Sequence, residues 1–259
     1  GIQRQLRIAG ISPTKITKLL ISHLHGDHVL GIPGLMQSMA ANNYNRTLEI
    51  YGPEGTAIFI NKVRSTFILE GKIDVKVTEV KRKRFIDTKH FALEAMMLNH
   101  TAPCLGYSFI EKDRVNINMK YLEKFGLKSH PILKELQTGK DIKWKGKTIK
   151  AKNATIVTKG KKLTLITDTG LCKECYELAR ESDILICEST YDEEMEDKAK
   201  EYRHLSSAQA AEIAKTSKSK RLILTHFSQR YKAVTKLKAQ AKKIFRNAEC
   251  AKDFMKISL

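Results

Sequence analysis

Residues 23–28 read His-Leu-His-Gly-Asp-His, and this stretch decides the fold. The short apolar run before it, residues 16–22, has a β-branched bias and predicts a buried strand. The apolar density of residues 29 to about 41 predicts a helix. The cluster therefore lies on a strand-to-helix loop, where Gly26 lets the backbone turn sharply. Imidazole and carboxylate groups at this density favour a first-row metal such as zinc over histidines that merely cap the helix.

Further apolar runs along the chain each lead to a residue that can bind a metal or move a proton. These predicted strands and the residues that follow them are 91–98 with His100, 163–167 with Asp168, 184–187 with Glu188, and 221–225 with His226. In sheets built this way, functional sites gather beyond the carboxyl ends of the strands. One histidine after one strand is usually structural, but four such residues beside the first cluster predict a shared site.

The composition excludes several classes of protein. The chain has 259 residues, of which 42% are hydrophobic, so it can bury a sizeable core and is not disordered. No apolar run approaches the ~18 residues of a membrane span, and the first residues show no apolar signal segment. The net charge of +19 predicts a polyanionic partner, either nucleic acid or an anionic membrane surface. Five cysteines, an odd number, indicate no disulfide framework and favour a reducing, cytoplasmic location.

The order of these residues, together with several longer motifs, carries a family resemblance. The motifs are GIQRQL at residues 1–6, HTAPCLGY at 100–107, ESTY at 188–191 with HLSSAQAA at 204–211, and THFSQRY at 225–231. They are similar to the motifs of the ribonuclease Z family, the tRNA 3′-processing endoribonucleases of the metallo-β-lactamase superfamily. The resemblance covers essentially the whole chain, and its motifs are specific.

The resemblance implies an α/β fold: a metallo-β-lactamase αβ/βα sandwich that spans residues 1–259 as a single domain. It also implies two Zn²⁺ per chain at the rim of the sheets. Their ligands would be His23, His25 and His100 for one ion, Asp27, His28 and His226 for the other, and Asp168 as a bridge. Two zinc ions about 3.5–4 Å apart acidify a water and clamp the attacking and leaving oxygens of a phosphodiester. In this fold several N-terminal strands are expected before GIQRQL, and this chain begins without them. We therefore expect either that the protein has further residues before Gly1 or that this chain is a fragment.

The resemblance further implies two roles in proton transfer. Asp27 would orient the attacking water or accept its proton. His204 precedes an S-x-x-Q capping box at residues 206–209, which opens a helix and leaves the histidine free to face a cleft. Held by Glu188, His204 would protonate the ribose 3′-alkoxide, which is otherwise a poor leaving group. Without the resemblance, a surface histidine in a loop is an equally good interpretation.

Residues 111 to about 150 form a second diagnostic region. The segment is long for a connector in a compact domain, and long loops are commonly functional. In the ribonuclease Z family a protruding arm at this place grips the tRNA, and we expect the same here, with a short helix at 119–125. The P-x-K-x-R-N loop of the family is similar to IEKDRVN at residues 110–116, which lacks the proline and has an extra valine.

The motifs also provide candidate RNA contacts. These are Lys112 and Arg114 of the arm and Ser228 and Arg230 of THFSQRY. Trp144 lies in a predicted strand at residues 141–150 and is either a core residue or a stacking partner for RNA. Cys172 and Cys175 have the spacing of a zinc knuckle or a redox pair, but a second such pair is missing from the sequence.

The resemblance implies a zinc-dependent endoribonuclease that removes the 3′ trailer from precursor tRNA. It would leave a 3′-hydroxyl on the tRNA and a 5′-phosphate on the trailer. We expect precursor tRNA as the partner, a homodimer as is common in the family, and no membrane. A related phosphodiesterase or small-ester hydrolase is the second hypothesis, although a small substrate needs neither the arm nor the positive charge. A non-enzymatic RNA-binding module is the third, and the complete set of ligands argues against it.

Overall fold

The computed structural model describes residues 1–67, 73–81 and 83–258 and divides into two compact units. Unit 1 comprises Gly1–Ile86, Leu93–Phe109 and Lys162–Leu259, and unit 2 comprises Asp87–Ala92 and Ile110–Lys161. Every predicted metal ligand therefore lies in unit 1, and the predicted arm lies in unit 2. The organisation as a single domain stays a prediction.

The secondary structure of the described residues alternates between strands and helices. The strands are β1 (Lys18–Leu20), β2 (Thr47–Gly52), β3 (Asp74–Glu79), β4 (Lys83–Asp87), β5 (Phe91–Leu98), β6 (Cys104–Glu111), β7 (Arg114–Ile117), β8 (Ile142–Trp144), β9 (Lys147–Ile149), β10 (Thr155–Thr158), β11 (Lys162–Ile166), β12 (Ile184–Glu188), β13 (Leu222–Thr225) and β14 (Ala248–Cys250). The helices are α1 (Ile2–Ile8), α2 (Gly26–Val29), α3 (Ile32–Ala41), α4 (Thr56–Thr66), α5 (Met119–Leu122), α6 (Leu133–Gln137), α7 (Ala151–Ala154), α8 (Lys173–Ala179), α9 (Glu196–Tyr202), α10 (Ser207–Thr216) and α11 (Thr235–Ile244). Among these helices, none has the length and apolar character that crossing a membrane requires.

Two sheets form the centre of unit 1. The larger has the strand order β14-β13-β12-β11-β6-β5-β4, and the smaller is a parallel sheet with the order β1-β2-β3. Tyr51 of β2 and Leu105 and Tyr107 of β6 belong to one apolar cluster, which lies between the sheets. Cys104 lies on the face of β6 opposite to Leu105 and Tyr107, and it belongs to a second cluster with α8, α10 and α11. A third cluster joins the smaller sheet to α3 and α4, so the predicted αβ/βα sandwich is confirmed.

The carboxyl ends of the parallel strands bring predicted site residues to one edge of the larger sheet. β11, β12 and β13 pair in parallel. Asp168 lies two residues beyond β11, Glu188 is the last residue of β12, and His226 directly follows β13. Asp168 and His226 have φ angles of 54° and 55°, in the left-handed region that non-glycine residues rarely adopt. The strained turns therefore lie at the edge where these side chains gather.

The predicted elements are largely present, with two differences. The helix predicted over residues 29–41 begins only at Ile32, as α3, and Val29 instead ends the short helix α2. Pro33, in the first turn of α3, has no N–H to continue an earlier helix. The single strand predicted at residues 141–150 is wrong: this segment is the β8–β9 hairpin. Lys145 and Gly146 have φ angles of 47° and 76° and reverse the chain there. The capping box is confirmed, because the side chain of Ser206 accepts from the backbone N–H of Gln209.

Unit 2 has an apolar core of its own. Leu122, Leu136, Ile142 and Ile149 are each at most 3% exposed and pack together. They come from α5, α6 and the β8–β9 hairpin, and β7 pairs with β10 in antiparallel orientation. The predicted short helix at 119–125 is α5 followed by a 3₁₀ turn. A segment with a core is a folded element rather than a solvated connector.

The two ends of the longer segment of unit 2 lie side by side. The N–H of Glu111 donates to the carbonyl of Lys161 at 2.8 Å. At Gly160, a Cβ atom would lie only 1.9 Å from the carbonyl oxygen of Glu111, so the close approach of the two chain segments requires glycine. The segment therefore begins and ends at nearly the same point.

Candidate metal and catalytic site

The predicted metal ligands converge in unit 1. Five groups of side chains have ligand atoms within 4.8 Å of one another, and three of them consist of predicted ligands alone: His23 with His25 and His100, His23 with His28 and Asp168, and Asp27 with His28 and His226. The other two contain His204, with His100 and Asp168 or with Glu188 and His226. The structure therefore brings together all seven residues that the sequence predicts as ligands.

The first group consists of three imidazole rings whose nitrogens lie close together. His23 is fully buried, and within the described part of the chain its Nε2 has no hydrogen-bond partner. Nε2 of His100 lies 3.3 Å from Nδ1 of His25. Burial lowers the pKa of His23 to about 4, and burial likewise lowers the pKa of His100. Both rings are thus neutral near pH 7, and a divalent cation fits the Nε2 of His23, which burial would otherwise leave unsatisfied.

Asp168 lies between the histidines. Its Oδ2 is 3.3 Å from Nε2 of His28, 3.3 Å from Nε2 of His226 and 3.7 Å from Nε2 of His23. Burial by itself raises the pKa of Asp168. The hydrogen bond from His28 and the charge of His226 outweigh burial and hold the pKa of this carboxyl well below its usual range. An ionised carboxylate shared by three imidazoles has the position and charge that a bridging ligand needs.

Asp27 is the exposed carboxylate of the cluster. Its side chain is 74% exposed, and its Oδ2 lies 3.4 Å from Nε2 of His28. A hydrogen bond to Asp168 raises the pKa of His28. Solvent and substrate can therefore reach Asp27, whereas Asp168 is almost completely buried. This difference in exposure fits the predicted roles, in which Asp27 accepts the proton of the attacking water and Asp168 bridges the two ions.

Glu188 and His204 form a hydrogen-bonded pair beside the metal cluster. Nδ1 of His204 lies 3.0 Å from Oε1 of Glu188, which is fully buried. The backbone N–H groups of Thr169 and Leu205 also donate to this carboxylate, at 2.6 and 3.1 Å. Burial lowers the pKa of His204, but the hydrogen bond to Glu188 outweighs it and raises the pKa. With Nδ1 directed at Glu188, Nε2 is the nitrogen left to act on a substrate.

Two further residues hold this arrangement and were missed by sequence reasoning. The hydroxyl of Thr190 lies 2.9 Å from Nδ1 of His226 and donates to Oε2 of Glu188 at 2.7 Å. The carbonyl of Arg203 lies 3.2 Å from Nδ1 of His100, and its guanidinium donates to the carbonyl of His100 at 2.7 Å. Arg203 directly precedes His204, and Thr190 lies two residues after Glu188 in the ESTY motif, so nearness in sequence is the signal that could have found them. Their contacts depend on how the loops fold.

We expect Thr190→Val to weaken metal binding by roughly 10- to 100-fold, because Nδ1 of His226 loses the hydroxyl that orients its ring. Valine has nearly the same shape as threonine, so packing is preserved while the hydroxyl is removed. Titration of the metal-free protein with zinc against a competing chromophoric chelator measures the affinity. Thr190→Ser keeps the hydroxyl and should bind zinc nearly as the unaltered protein does. Equal affinities for the two variants would contradict the role of the hydroxyl.

The predicted RNA contacts lie in both units. In unit 2, Lys112 forms an ion pair with Asp87, and Arg114 with Glu111 at 3.0 Å. Lys112 and Arg114 line a cavity of about 750 Å³, together with Lys89, His90 and Lys134. In unit 1, Ser228 and Arg230 follow His226. The Nε of Arg230 donates to the hydroxyl of Ser228 at 3.0 Å, and its guanidinium lies 5.0 Å from the centre of the Tyr191 ring.

Comparison with known proteins gives concordant similarities. Residues 1–115 match the family described as the Metallo-beta-lactamase superfamily. The ribonuclease Z of Pyrococcus horikoshii is 38% identical, with 100% of this chain and 84% of that protein covered. The ribonuclease Z of Nanoarchaeum equitans is 38% identical, with 88% of this chain and 72% of that protein covered. The crystal structure of human tRNase Z, short form, has a TM-score of 0.68 and 27% identity, covering 100% of this chain and 85% of that one.

Proposed function

The chain belongs to the ribonuclease Z family of the metallo-β-lactamase superfamily, and we propose that the clustered side chains of unit 1 cut the 3′ trailer from precursor tRNA. The protein is a tRNA 3′-processing endoribonuclease. The convergence of seven histidine and aspartate side chains supports the proposed place of the chemistry. The names of the relatives favour this activity over a small-ester hydrolase or a non-enzymatic RNA-binding module.

The metallo-β-lactamase fold implies a divalent metal, and we propose two Zn²⁺ per chain. Neutral imidazole nitrogens with a few carboxylates are a donor set that zinc accepts readily. The proposed ligands are the seven residues of the three groups above: His23, His25, Asp27, His28, His100, Asp168 and His226. Two bound ions would lower the pKa of a water and stabilise negative charge on the attacking and leaving oxygens of the phosphodiester.

In this proposal Asp27 and His204 each carry out one proton transfer. The exposed carboxylate of Asp27 orients the attacking water and accepts its proton. His204 donates a proton from Nε2 to the ribose O3′ as the bond between O3′ and phosphorus breaks. Glu188 fixes the ring through Nδ1 and stabilises its charged form. Breaking this bond leaves a 3′-hydroxyl on the tRNA and a 5′-phosphate on the trailer.

The positive charge and unit 2 account for binding of the tRNA body in this proposal. Substrate affinity should fall as salt rises, because each protein cation that neutralises a phosphate releases condensed counterions. We expect Arg114→Ala to reduce the slope of log Kd against log salt by about 1, and Lys112→Ala to have a similar effect. Fluorescence anisotropy with labelled precursor tRNA and excess chelator measures binding without cleavage. Lys252→Ala, an exposed lysine in unit 1, is the control and should keep the slope.

The test of the function is cleavage of a 3′-extended precursor tRNA. The purified protein with zinc should make one cut at the 3′ side of the acceptor stem. A chelator should stop the reaction, and added zinc should restore it. Labelling of the product ends checks for the 3′-hydroxyl and the 5′-phosphate. Hydrolysis of bis(p-nitrophenyl) phosphate without cleavage of the tRNA would instead favour a small-molecule phosphodiesterase. The homodimer and the cytoplasmic location stay predictions.

A further inference from the structure

Cys172 and Cys175 are two free thiols that the proposed function does not use. Their Sγ atoms lie 3.4 Å apart, close enough to share a hydrogen. Cys172 is half-buried, whereas Cys175 is fully buried in the core that joins the larger sheet to α8, α10 and α11. The pair thus combines one sulfur that a small molecule can reach with one that the core holds in place.

The reachable thiol is connected to the catalytic pair. Sγ of Cys172 lies 3.9 Å from the hydroxyl of Thr169. The backbone N–H of Thr169 donates to Glu188 at 2.6 Å, and its hydroxyl accepts from the N–H of Asn99 at 3.1 Å. Thr169 directly follows Asp168, and Asn99 directly precedes His100. A movement of Cys172 would therefore be transmitted through Thr169 and Asn99 to the segments that carry Asp168 and His100.

We propose that Cys172 and Cys175 are a modification site for low-molecular-weight disulfides, and that closing the pair into a disulfide slows RNA cleavage. This goes beyond the proposed function, since it concerns how the activity responds to oxidants. The same pair, once reduced again, returns the protein to its active form.

The chemistry is two thiol–disulfide exchanges. The Cys172 thiolate attacks one sulfur of a small disulfide RSSR, forms a mixed disulfide and releases RS⁻. The Cys175 thiolate then attacks Sγ of Cys172, which closes the intramolecular disulfide and releases the second RS⁻. The cysteine pair loses two electrons and two protons, and RSSR becomes two RSH.

The pKa values of the two thiols differ in the direction that this order of attack requires. The hydrogen bond from Cys175 lowers the pKa of Cys172 to about 6, although burial opposes this shift. The same hydrogen bond, followed by burial, raises the pKa of Cys175 above its usual range. Cys172, which is also the more exposed of the two, is therefore the first nucleophile.

Closure has a defined structural cost. A disulfide holds its sulfurs at about 2.05 Å, so the separation of 3.4 Å must shorten by more than 1 Å. Because Cys175 is held in the core, we expect Cys172 to move toward it and its contact with Thr169 to change. Displacements of about 1 Å far from the reacting atoms can cost as much as 100-fold in rate. We expect the oxidised protein to cleave precursor tRNA about tenfold or more slowly.

The experiment compares the zinc-loaded protein before and after incubation with oxidised glutathione. Intact-mass measurement should show the loss of two hydrogen atoms, and peptide mapping should find Cys172 joined to Cys175. The rate of cleavage should fall with the fraction of disulfide and recover after a phosphine reductant, which does not compete for zinc as a dithiol would. Zinc content is measured in both states.

Variants separate this pair from the other cysteines. Cys172→Ser should cleave precursor tRNA and keep its rate in oxidised glutathione. Cys250→Ala, which removes the cysteine of β14, should remain as sensitive as the unaltered protein. The proposal is overturned if the disulfide does not form, if it forms without loss of rate, or if Cys172→Ser is still inhibited. Failure of the reduced protein to cleave tRNA would instead contradict the proposed function.

Discussion

Replacing Asp27 with alanine should lower kcat for precursor tRNA by roughly 10³- to 10⁴-fold, the largest effect that we expect from a single substitution. Asp27 is the exposed carboxylate of the cluster and lies against His28. Its loss removes both the proposed acceptor of the proton from the attacking water and one of the proposed metal ligands. Single-turnover cleavage at saturating precursor measures the rate, and elemental analysis of the same samples measures the zinc content.

Asp27→Asn separates the two functions of the carboxylate. Asparagine keeps the size and one oxygen but cannot accept the proton, so we expect metal to be retained better than in Asp27→Ala while turnover stays low. Asp253→Ala removes an exposed aspartate near the end of the chain and is the matched control. Turnover by Asp27→Ala within about tenfold of the unaltered protein would exclude the assigned role.

Replacing His204 with alanine should lower kcat by roughly 10²- to 10³-fold and leave the zinc content unchanged. His204 is held by Glu188, and its Nε2 remains to protonate the leaving O3′. The variant retains every proposed ligand, so the loss should be confined to the step in which the leaving group departs. If His204→Ala loses zinc, His204 is itself a ligand and the role assigned to it is wrong.

The leaving group provides a sharper test of the same role. Bis(p-nitrophenyl) phosphate expels a stabilised phenolate that needs no proton. If the protein hydrolyses this compound, His204→Ala should lose little of that activity while losing cleavage of tRNA. Asp253→Ala, the exposed control in unit 1, should retain both activities. Equal losses on the two substrates would indicate a positioning role rather than proton donation.

The strands and the convergence of the site could be predicted because they depend on local pattern. Apolar runs specify the strands, and parallel strands present their carboxyl ends at one edge, so His226 and Asp168 were expected to meet. The hairpin at Lys145 and Gly146 was missed because two residues with positive φ interrupt a run that otherwise resembles one strand. Its polar, lysine-rich composition contains no apolar period that would reveal the reversal.

The residues that support the site could not be predicted for a different reason. Thr190 and Arg203 act through a hydroxyl and a backbone carbonyl, and these groups occur throughout any sequence. Only the folded loops decide which of them reach His226 and His100. The core of unit 2 was missed because its apolar residues are spread over short elements that show no sustained periodicity.

Residues 110–161 form an insertion whose two ends lie next to each other. One hydrogen bond joins Glu111 to Lys161, and Gly160 permits the close approach. An insertion whose ends nearly touch can lengthen, shorten or be exchanged without shifting the register of the strands that flank it. Under the proposed role of unit 2, exchange of this segment would alter RNA binding while the proposed metal ligands keep their places, so substrate preference and chemistry could evolve separately.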